Sequence, residues 1–161
     1  MEKSCGIVIF SEENNKRKYL LLHYLEGHWD FPKGHVEKNE NEHETALREL
    51  FEETGIKNVT FIDDFRERVE YSFSYKEKKI SKEVFYFLAK SEHVNSIVIS
   101  DEHTGFEWLS YSQAIKRITY QNTKCVLEKA EVYLSKWFCC TLCIFSYFYK
   151  MYSYNVFCGI T

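Results

Sequence analysis

The sequence lacks any excess of positive charge, because 21 lysines and arginines face 24 aspartates and glutamates, for a net charge of −3. This balance gives no basis for general nucleic-acid binding, and we expect no nucleic-acid partner. An anionic substrate must therefore be held by a few placed cations and by metal. A 45% hydrophobic fraction and 161 residues suit one ordinary globular domain, which we expect to be a monomer.

Three further patterns are missing. The start, "MEKSCGIVIF", has neither the basic residues nor the long apolar core of a signal peptide, so we expect a cytoplasmic protein. The six cysteines show no paired CxxC motifs at zinc spacing, which argues against a zinc site. The apolar run from Phe138 to Tyr149 is shorter than a membrane span and ends at Lys150, so no stable membrane contact is expected.

Strand-like runs come in pairs along the chain. "CGIVIF" and "KYLLLHY" flank the polar turn "SEENNKR" and predict a hairpin. "NVTFIDDFRERVEYSFSY" and "KEVFYFLAK" predict a second antiparallel pair around the charged turn "KEKKIS".

A shorter strand, "GFEWL", precedes two helical stretches, "SYSQAIKRI" and "NTKCVLEKAEVYLSKW". Ser110 and Gln113 have the spacing of a capping box at the first of these helices. With one more helix after the first hairpin, the order is β-β-α-β-β-β-α-α. This order predicts an α+β domain with a mixed sheet flanked by helices.

The helix after the first hairpin has clear ends. The only proline, Pro32, marks a loop before it. Asn41 and Glu44 form a second capping-box candidate, and Gly55 suits a left-handed helix end, so we predict a helix from Asn41 to Thr54.

This helix collects carboxylates on one side. Glu49, Glu52 and Glu53 lie at i, i+3 and i+4, where helical side chains meet and like charges repel. Hard divalent cations such as Mg²⁺ would remove that repulsion by binding the carboxylate oxygens, whereas the simpler alternative is a solvated acidic face. The opposite side carries three apolar residues that we expect to pack on the sheet, namely Leu47, Leu50 and Phe51.

The same stretch, "GHVEKNENEHETALRELFEETGI", resembles the Nudix box, Gly-x5-Glu-x7-Arg-Glu-U-x-Glu-Glu-x-Gly-U, in which U is a bulky apolar residue. The matching positions are Gly34, Glu40, Arg48, Glu49, Leu50, Glu52, Glu53, Gly55 and Ile56. The resemblance implies a Nudix fold, an α/β/α sandwich, over residues 1–137. It leaves residues 138–161 as an apolar extension of unknown role.

Membership of the Nudix family would imply a catalytic metal, Mg²⁺ with Mn²⁺ possible. By resemblance, Glu49, Glu52 and Glu53 would be metal ligands, Gly34 would offer its backbone carbonyl, and Arg48 would orient a neighbouring glutamate. The implied reaction is water attack on phosphorus in a nucleoside diphosphate linked to another group.

The flanking segments "HWDFPKGHVE", "SDEHTGFEWL" and "KEVFYFLA" look like those of the asymmetrically cleaving diadenosine tetraphosphate hydrolases, a branch of the family. The resemblance implies hydrolysis of that nucleotide to ATP and AMP. Four cationic or ionisable side chains around the box could hold its phosphates: His28, Lys33, His35 and Lys82.

Four more positions complete the predicted site. Tyr86 lies opposite Phe85 and Phe87 in strand alternation, so we expect it to face a cleft and stack on adenine, with Tyr133 as a second platform. Glu102 is a candidate metal ligand or general base, a role for which Glu52 competes, and His103 could steer a phosphate. These roles identify the reaction better than the substrate. An RNA 5′ end, a modified nucleotide, a diphosphoinositol polyphosphate and non-catalytic nucleotide binding remain alternatives.

Overall fold

The computed structural model describes residues 2–75, 78–92 and 97–136. The strands are β1 (Glu2–Glu13), β2 (Lys16–Tyr24), β3 (Trp29–Asp30), β4 (Lys33–His35), β5 (Val59–Tyr75), β6 (Lys78–Ser91) and β7 (His103–Leu109). The helices are α1 (Glu42–Thr54), α2 (Tyr111–Arg117) and α3 (121–136). The order of elements therefore agrees with the sequence prediction, apart from two short strands, β3 and β4, inside the predicted loop.

The strands form one sheet with the path β3-β2-β1-β6-β5, in which β4 pairs with β1 and β7 pairs with β2. The pairing of β1 with β6 is parallel, and the other pairings are antiparallel. The predicted mixed sheet is therefore confirmed.

Both predicted hairpins form with tighter turns than the polar segments suggested. β1 and β2 are joined by Asn14 and Asn15, whose φ angles of 50° and 59° are those of a type I′ turn. In the second hairpin, Tyr75 already pairs with Lys78, so only residues 76–77 separate β5 from β6. The polar residues on either side of each turn extend the strands instead of forming a longer loop.

Helix α1 has the predicted ends. The Asn41 side chain accepts a hydrogen bond from the Glu44 backbone at 3.0 Å, and the Glu44 carboxylate accepts one from the Asn41 backbone at 2.8 Å. Gly55 ends the helix with φ of 73°, and its N–H donates to the Phe51 carbonyl at 2.8 Å. These local signals fix the bounds of α1 and so the spacing of its carboxylates along the helix.

The buried side of α1 differs from the prediction. Leu50 and Ala46 pack into the core, but Leu47 and Phe51 are 36% and 44% exposed, so their expected packing on the sheet is wrong. The buried residues of α1 are instead Thr45, Ala46, Leu50, Glu53 and Thr54. This buried side therefore includes a carboxylate, that of Glu53. One of the three aligned glutamates is therefore inside the protein.

Both faces of the sheet are covered. On the face towards α1, alternate residues of β1 and β6, among them Ile7 and Phe87, join Leu50 in one apolar cluster. On the other face Tyr86 is buried and bonded to Thr123 of α3. Helices on both sides of a mixed sheet make the layered α+β arrangement that the sequence predicts.

The chain divides into two compact units, Met1–Ala130 and Glu131–Thr161. The sheet and α1 belong to the first unit, and the described residues of the second, 131–136, are helical. The predicted domain end at Trp137 and the apolar extension 138–161 lie outside the described residues. Within the described residues, no helix combines the length and apolarity needed to cross a membrane.

Candidate active site

The three aligned glutamates of α1 form a gradient from core to solvent. Side-chain exposure is 5% for Glu53, 14% for Glu49 and 54% for Glu52. The exposed neighbour Glu102, which directly precedes β7, also raises the pKa values of Glu49 and Glu53, behind the larger effect of burial. The structure thus brings all four carboxylates to one site.

Glu53 is the most enclosed of these carboxylates. Its Oε2 accepts a hydrogen bond from the Lys33 backbone N–H at 3.1 Å, and its Oε1 lies 3.5 Å from the Tyr24 hydroxyl. Burial raises the pKa of Glu53 to about 8, although the Lys33 charge acts in the opposite direction. A carboxylate in such a position is stabilised by any cation that approaches it.

Arg48 organises the outer part of the site. Its Nη1 donates to Glu49 Oε1 at 2.8 Å and to Glu52 Oε2 at 2.9 Å, while Nη2 donates to the His35 carbonyl at 2.9 Å. Its Nε donates to Glu40 Oε1 at 2.6 Å, and this hydrogen bond lowers the pKa of Glu40 to about 2. The guanidinium therefore holds two of the predicted metal ligands in place, and Glu40 holds the guanidinium.

Gly34 on β4 lies directly against this cluster. A Cβ atom at position 34 would be 1.9 Å from Cδ of Glu49, closer than any side chain could be. Only glycine lets the backbone of β4 approach the carboxylate, which explains the glycine at this position of the motif.

The donors fit a hard divalent cation. Carboxylate oxygens and the Gly34 backbone carbonyl are the ligands that Mg²⁺ and Mn²⁺ prefer, and burial raises the pKa of Glu49 as well as that of Glu53. Within the described residues, no three His, Cys, Asp or Glu side chains already converge as a metal-binding group. In this arrangement Glu49 and Glu52 instead form ion pairs with Arg48.

Two of the predicted cations reach the site. The Lys33 ammonium lies 3.3 Å from Asp30 Oδ2 and 4.3 Å from the centroid of the Tyr24 ring. Lys82 is partly buried, and its pKa is lowered first by burial and then by the charge of Lys33. The two ammonium groups therefore share one neighbourhood beside the carboxylates.

Tyr24 is the central residue that the sequence analysis missed. Its ring stacks on His28 at 4.5 Å, meets His103 edge-on at 4.3 Å, and faces the Lys33 ammonium. Its hydroxyl donates to the Phe31 carbonyl at 3.0 Å. The only signal in the sequence was an aromatic residue at the end of a strand, where it could equally be a core residue.

His28, another predicted site residue, connects Tyr24 to the protein surface. Its ring also contacts that of Tyr120, with centroids 5.3 Å apart, and Tyr120 is 52% exposed. Burial, followed by the charge of Lys33, lowers the pKa of His28. A half-buried neutral ring beside an exposed tyrosine offers a surface on which a planar group can stack.

The structure does not agree with a direct phosphate contact by His103. Its side chain is fully buried, and burial followed by the Lys33 charge lowers its pKa to about 4. Nδ1 lies 2.9 Å from the Ser100 hydroxyl. Nε2 points at Glu53 from 3.6 Å, too far for a hydrogen bond, and has no partner among the described residues. His103 thus faces the buried carboxylate and not an open cleft.

The expected exposure of Tyr86 is also wrong. The residue does lie opposite Phe85 and Phe87, but it is only 2% exposed. Its ring meets that of Phe31, and its hydroxyl lies 3.5 Å from Asp30 Oδ1. The second face of the sheet is covered as well as the first, so no adenine can stack on Tyr86 in this arrangement.

Two predicted residues remain: His35 lies at the edge of the site, and Tyr133 lies in the second compact unit. The His35 side chain is 62% exposed and pairs with Glu2 at 3.3 Å, so it lies at the rim. Tyr133 belongs to the second compact unit, and its predicted stacking role stays a prediction.

Comparison with known proteins decides the family. Residues 2–129 match the NUDIX domain. The chain belongs to the Nudix hydrolases. This Nudix hydrolase is 36% identical over 143 residues to mouse bis(5′-nucleosyl)-tetraphosphatase [asymmetrical], an alignment that covers 82% of this chain and 95% of the mouse protein. The Caenorhabditis elegans protein of the same name is 33% identical, with 83% and 96% covered.

Solved structures confirm the Nudix fold. The C. elegans Ap4A hydrolase binary complex superposes with a TM-score of 0.76 at 33% identity, covering 84% of this chain and 99% of that chain. The E. coli dihydroneopterin triphosphate pyrophosphohydrolase, at 23% identity, shares the fold with a TM-score of 0.68, covering 79% and 92%.

Proposed function

We propose that this Nudix hydrolase cleaves diadenosine tetraphosphate asymmetrically, to ATP and AMP. One observation carries the proposal: carboxylates graded from core to solvent lie beside two ammonium groups, from Lys33 and Lys82, and beside the stacking surface of His28 and Tyr120. A nucleotide matches this arrangement, because its phosphates could bind the metal and the ammonium groups while its base stacks on the rings. The mouse and nematode relatives named above support the same substrate, since they align over nearly their whole length.

The carboxylates would hold the metal, Mg²⁺ or Mn²⁺. The proposed ligands are the carboxylates of Glu49, Glu52 and Glu53 and the backbone carbonyl of Gly34. Arg48, held by Glu40, keeps the first two carboxylates in position. When bound, the metal supplies positive charge to the phosphate oxygens and lowers the pKa of water. Glu53 would bind the metal from inside the protein, whereas Glu52 lies at the surface, where its side chain can move when substrate binds.

The attacking water needs a base, and two exposed carboxylates are candidates. Glu52 and Glu102 both reach solvent, where a water molecule can be held against the phosphate chain. Glu52 also bonds Arg48, so its loss would disturb the ligands as well as the proton transfer. A Glu102→Gln variant that retains metal affinity but loses turnover would favour Glu102 as the base.

Phosphates and base would be held by separate groups. Lys33 and Lys82 offer the charge for the phosphates, with His35 at the rim. His28 and Tyr120 take over the stacking role that the sequence analysis gave to Tyr86. The monomeric state and cytoplasmic location stay predictions from the sequence.

Product analysis in heavy-oxygen water tests the proposal. Attack at the phosphorus next to one adenosine should place the label on AMP and leave ATP unlabelled. Two molecules of ADP would contradict asymmetrical cleavage.

Capped RNA and deoxynucleoside triphosphates should be assayed in parallel with the dinucleotide. An RNA pyrophosphohydrolase from Nitratiruptor is 31% identical over 103 residues, an alignment that covers 57% of this chain and 64% of that protein. Brisk hydrolysis of RNA ends without cleavage of the dinucleotide would favour that alternative substrate class.

A further inference from the structure

A second row of planar groups lies at the same end of the sheet. His23 on β2 and Trp29 on β3 are cross-strand partners, and their rings stack with centroids 4.6 Å apart and planes 11° apart. The Arg117 guanidinium lies 4.9 Å from the centroid of the Trp29 ring. The same guanidinium pairs with Glu107 on β7, with Nη2 3.1 Å from Oε2, so it reaches from the Trp29 ring towards β7, and the stacked row itself consists of Trp29 and His23.

The row stops at a glycine. Gly105 on β7 is the cross-strand partner of His23 on its other side, so Trp29, His23 and Gly105 occupy one line across three strands. A Cβ atom built at Gly105 would meet nothing within 4 Å among the described residues. The third position of the row is therefore open, next to a sheet edge, because β7 pairs only with β2 among the described strands.

The rings that border this position are fixed in place. The Thr104 hydroxyl lies 2.6 Å from Nδ1 of His23 and sets the orientation of the imidazole. The backbone of Trp29 makes two hydrogen bonds with Thr119. The backbone N–H of Trp29 donates to the Thr119 hydroxyl at 2.9 Å, and the backbone carbonyl of Trp29 accepts from the backbone N–H of Thr119 at 3.1 Å. A planar group that binds beside His23 would therefore meet a surface that is already ordered.

The open position is close to the proposed active site. Gly105 follows the candidate base Glu102 by three residues and lies two residues into β7, about 7 Å along the strand from its start. Trp29 directly follows His28, and Thr119 directly precedes Tyr120. Tyr24 joins the core cluster on the α1 face of the sheet, so the preceding residue His23 points to the other face, and the two stacks lie on opposite faces of the β2–β3 hairpin.

We propose that the open position over Gly105 binds the second nucleobase of a dinucleoside polyphosphate, stacked on His23. The inference rests on the proposed function, in which His28 and Tyr120 take the first base. Neighbouring strands are about 4.8 Å apart, close to the ring spacing within the row, so a base above β7 continues the stack without distortion. Stacking accepts any nucleobase because every base presents a π face, which suits the distal end of a dinucleotide.

Two variants and two substrates test the inference. Gly105→Val fills the open position with a residue that is favoured in strands. The substitution causes no backbone strain, because Gly105 does not have a left-handed φ. His23→Ala removes the stacking surface instead. KM is measured for diadenosine tetraphosphate and for adenosine 5′-tetraphosphate, which has the same phosphates but one base.

In both variants, the ratio of the dinucleotide KM to the mononucleotide KM should rise about fivefold or more over wild type. Thermal melting establishes that each variant is folded, and Thr60→Val, at an exposed position of β5, serves as a control in which the ratio stays constant. An unchanged ratio in a folded Gly105→Val or His23→Ala protein overturns the second-base site. Wild-type protein that cleaves neither nucleotide instead overturns the proposed function, and the inference with it.

Discussion

Gly34 and Glu49 touch across the gap between β4 and α1, since a Cβ atom at position 34 would lie 1.9 Å from Cδ of Glu49. Moving the carboxylate aside would break the 2.8 Å hydrogen bond that Arg48 Nη1 donates to its Oε1, and the side chain is only 14% exposed. The missing side chain at position 34 is thus a requirement for the position of Glu49.

Gly34→Ala should therefore damage the site more than the fold. The added methyl group would displace the Glu49 carboxylate, and a displacement of about 1 Å in a catalytic group costs on the order of a hundredfold in rate. The melting temperature should change little, since β4 contributes only three residues to the sheet. Wild-type kcat in a folded Gly34→Ala protein would contradict this role.

Removal of divalent cations should abolish turnover while the far-ultraviolet circular dichroism spectrum is retained. The same logic applies to Glu53→Gln, which keeps an oxygen for the Lys33 N–H but removes the charge. Turnover should fall by about a thousandfold or more at saturating Mg²⁺, because both charge neutralisation and water activation weaken. A variant with near-normal turnover would remove Glu53 from the ligand set. Glu128→Gln, at an exposed position of α3, should retain full activity and controls for a general loss of negative charge.

The sequence predicted the bounds of α1 because the signals are local. The Asn41–Glu44 box and Gly55 fix the helix ends through contacts within a few residues, and the spacing of the glutamates then fixes their common side. The rotation of the helix against the sheet is not local. It placed Glu53 in the core and left Phe51 exposed, which the alternation of apolar residues did not indicate.

Residues whose role depends on distant partners were harder to predict. Strand alternation correctly separated Tyr86 from its neighbours, but it could not show that helices cover both faces of the sheet. His103 and Tyr24 are far apart in sequence and meet only around Glu53, so their buried contact has no sequence pattern. Where a side chain is placed by tertiary contacts alone, composition and spacing do not identify its surroundings.

Acid should weaken the fold partly through Glu42, at the start of α1. Its carboxylate bonds the Arg66 guanidinium at 2.7 and 2.8 Å and the Lys3 ammonium at 2.8 Å, and these contacts, Arg66 first, lower its pKa from 4.5 to about 2. The stabilisation is therefore fully present above pH 4.5 and is lost as the pH falls towards 2. Partial exposure limits its size to about 1 kcal/mol.

Urea titrations between pH 6 and 3 measure this effect. The free energy of unfolding of Glu42→Gln should be lower than that of wild type at pH 6, and the two should converge as the pH falls. Glu128→Gln again serves as the control and should parallel wild type throughout. A constant difference between Glu42→Gln and wild type across the range would show that the ion pairs with Lys3 and Arg66 do not titrate with Glu42.

Tyr86 and Tyr120 should respond in opposite ways to replacement by alanine, because one ring is buried and the other is half exposed. Tyr86→Ala leaves a cavity beside Phe31 and should lower the free energy of unfolding by about 3–5 kcal/mol, as for other buried aromatic residues. Tyr120→Ala should leave stability almost unchanged but raise KM for diadenosine tetraphosphate about tenfold, since a stacked base contributes about 1–3 kcal/mol. Chemical denaturation and steady-state kinetics on both variants separate the two roles. A folded and stable Tyr86→Ala protein with a raised KM would restore the stacking role to Tyr86 and show that its ring becomes accessible when nucleotide binds.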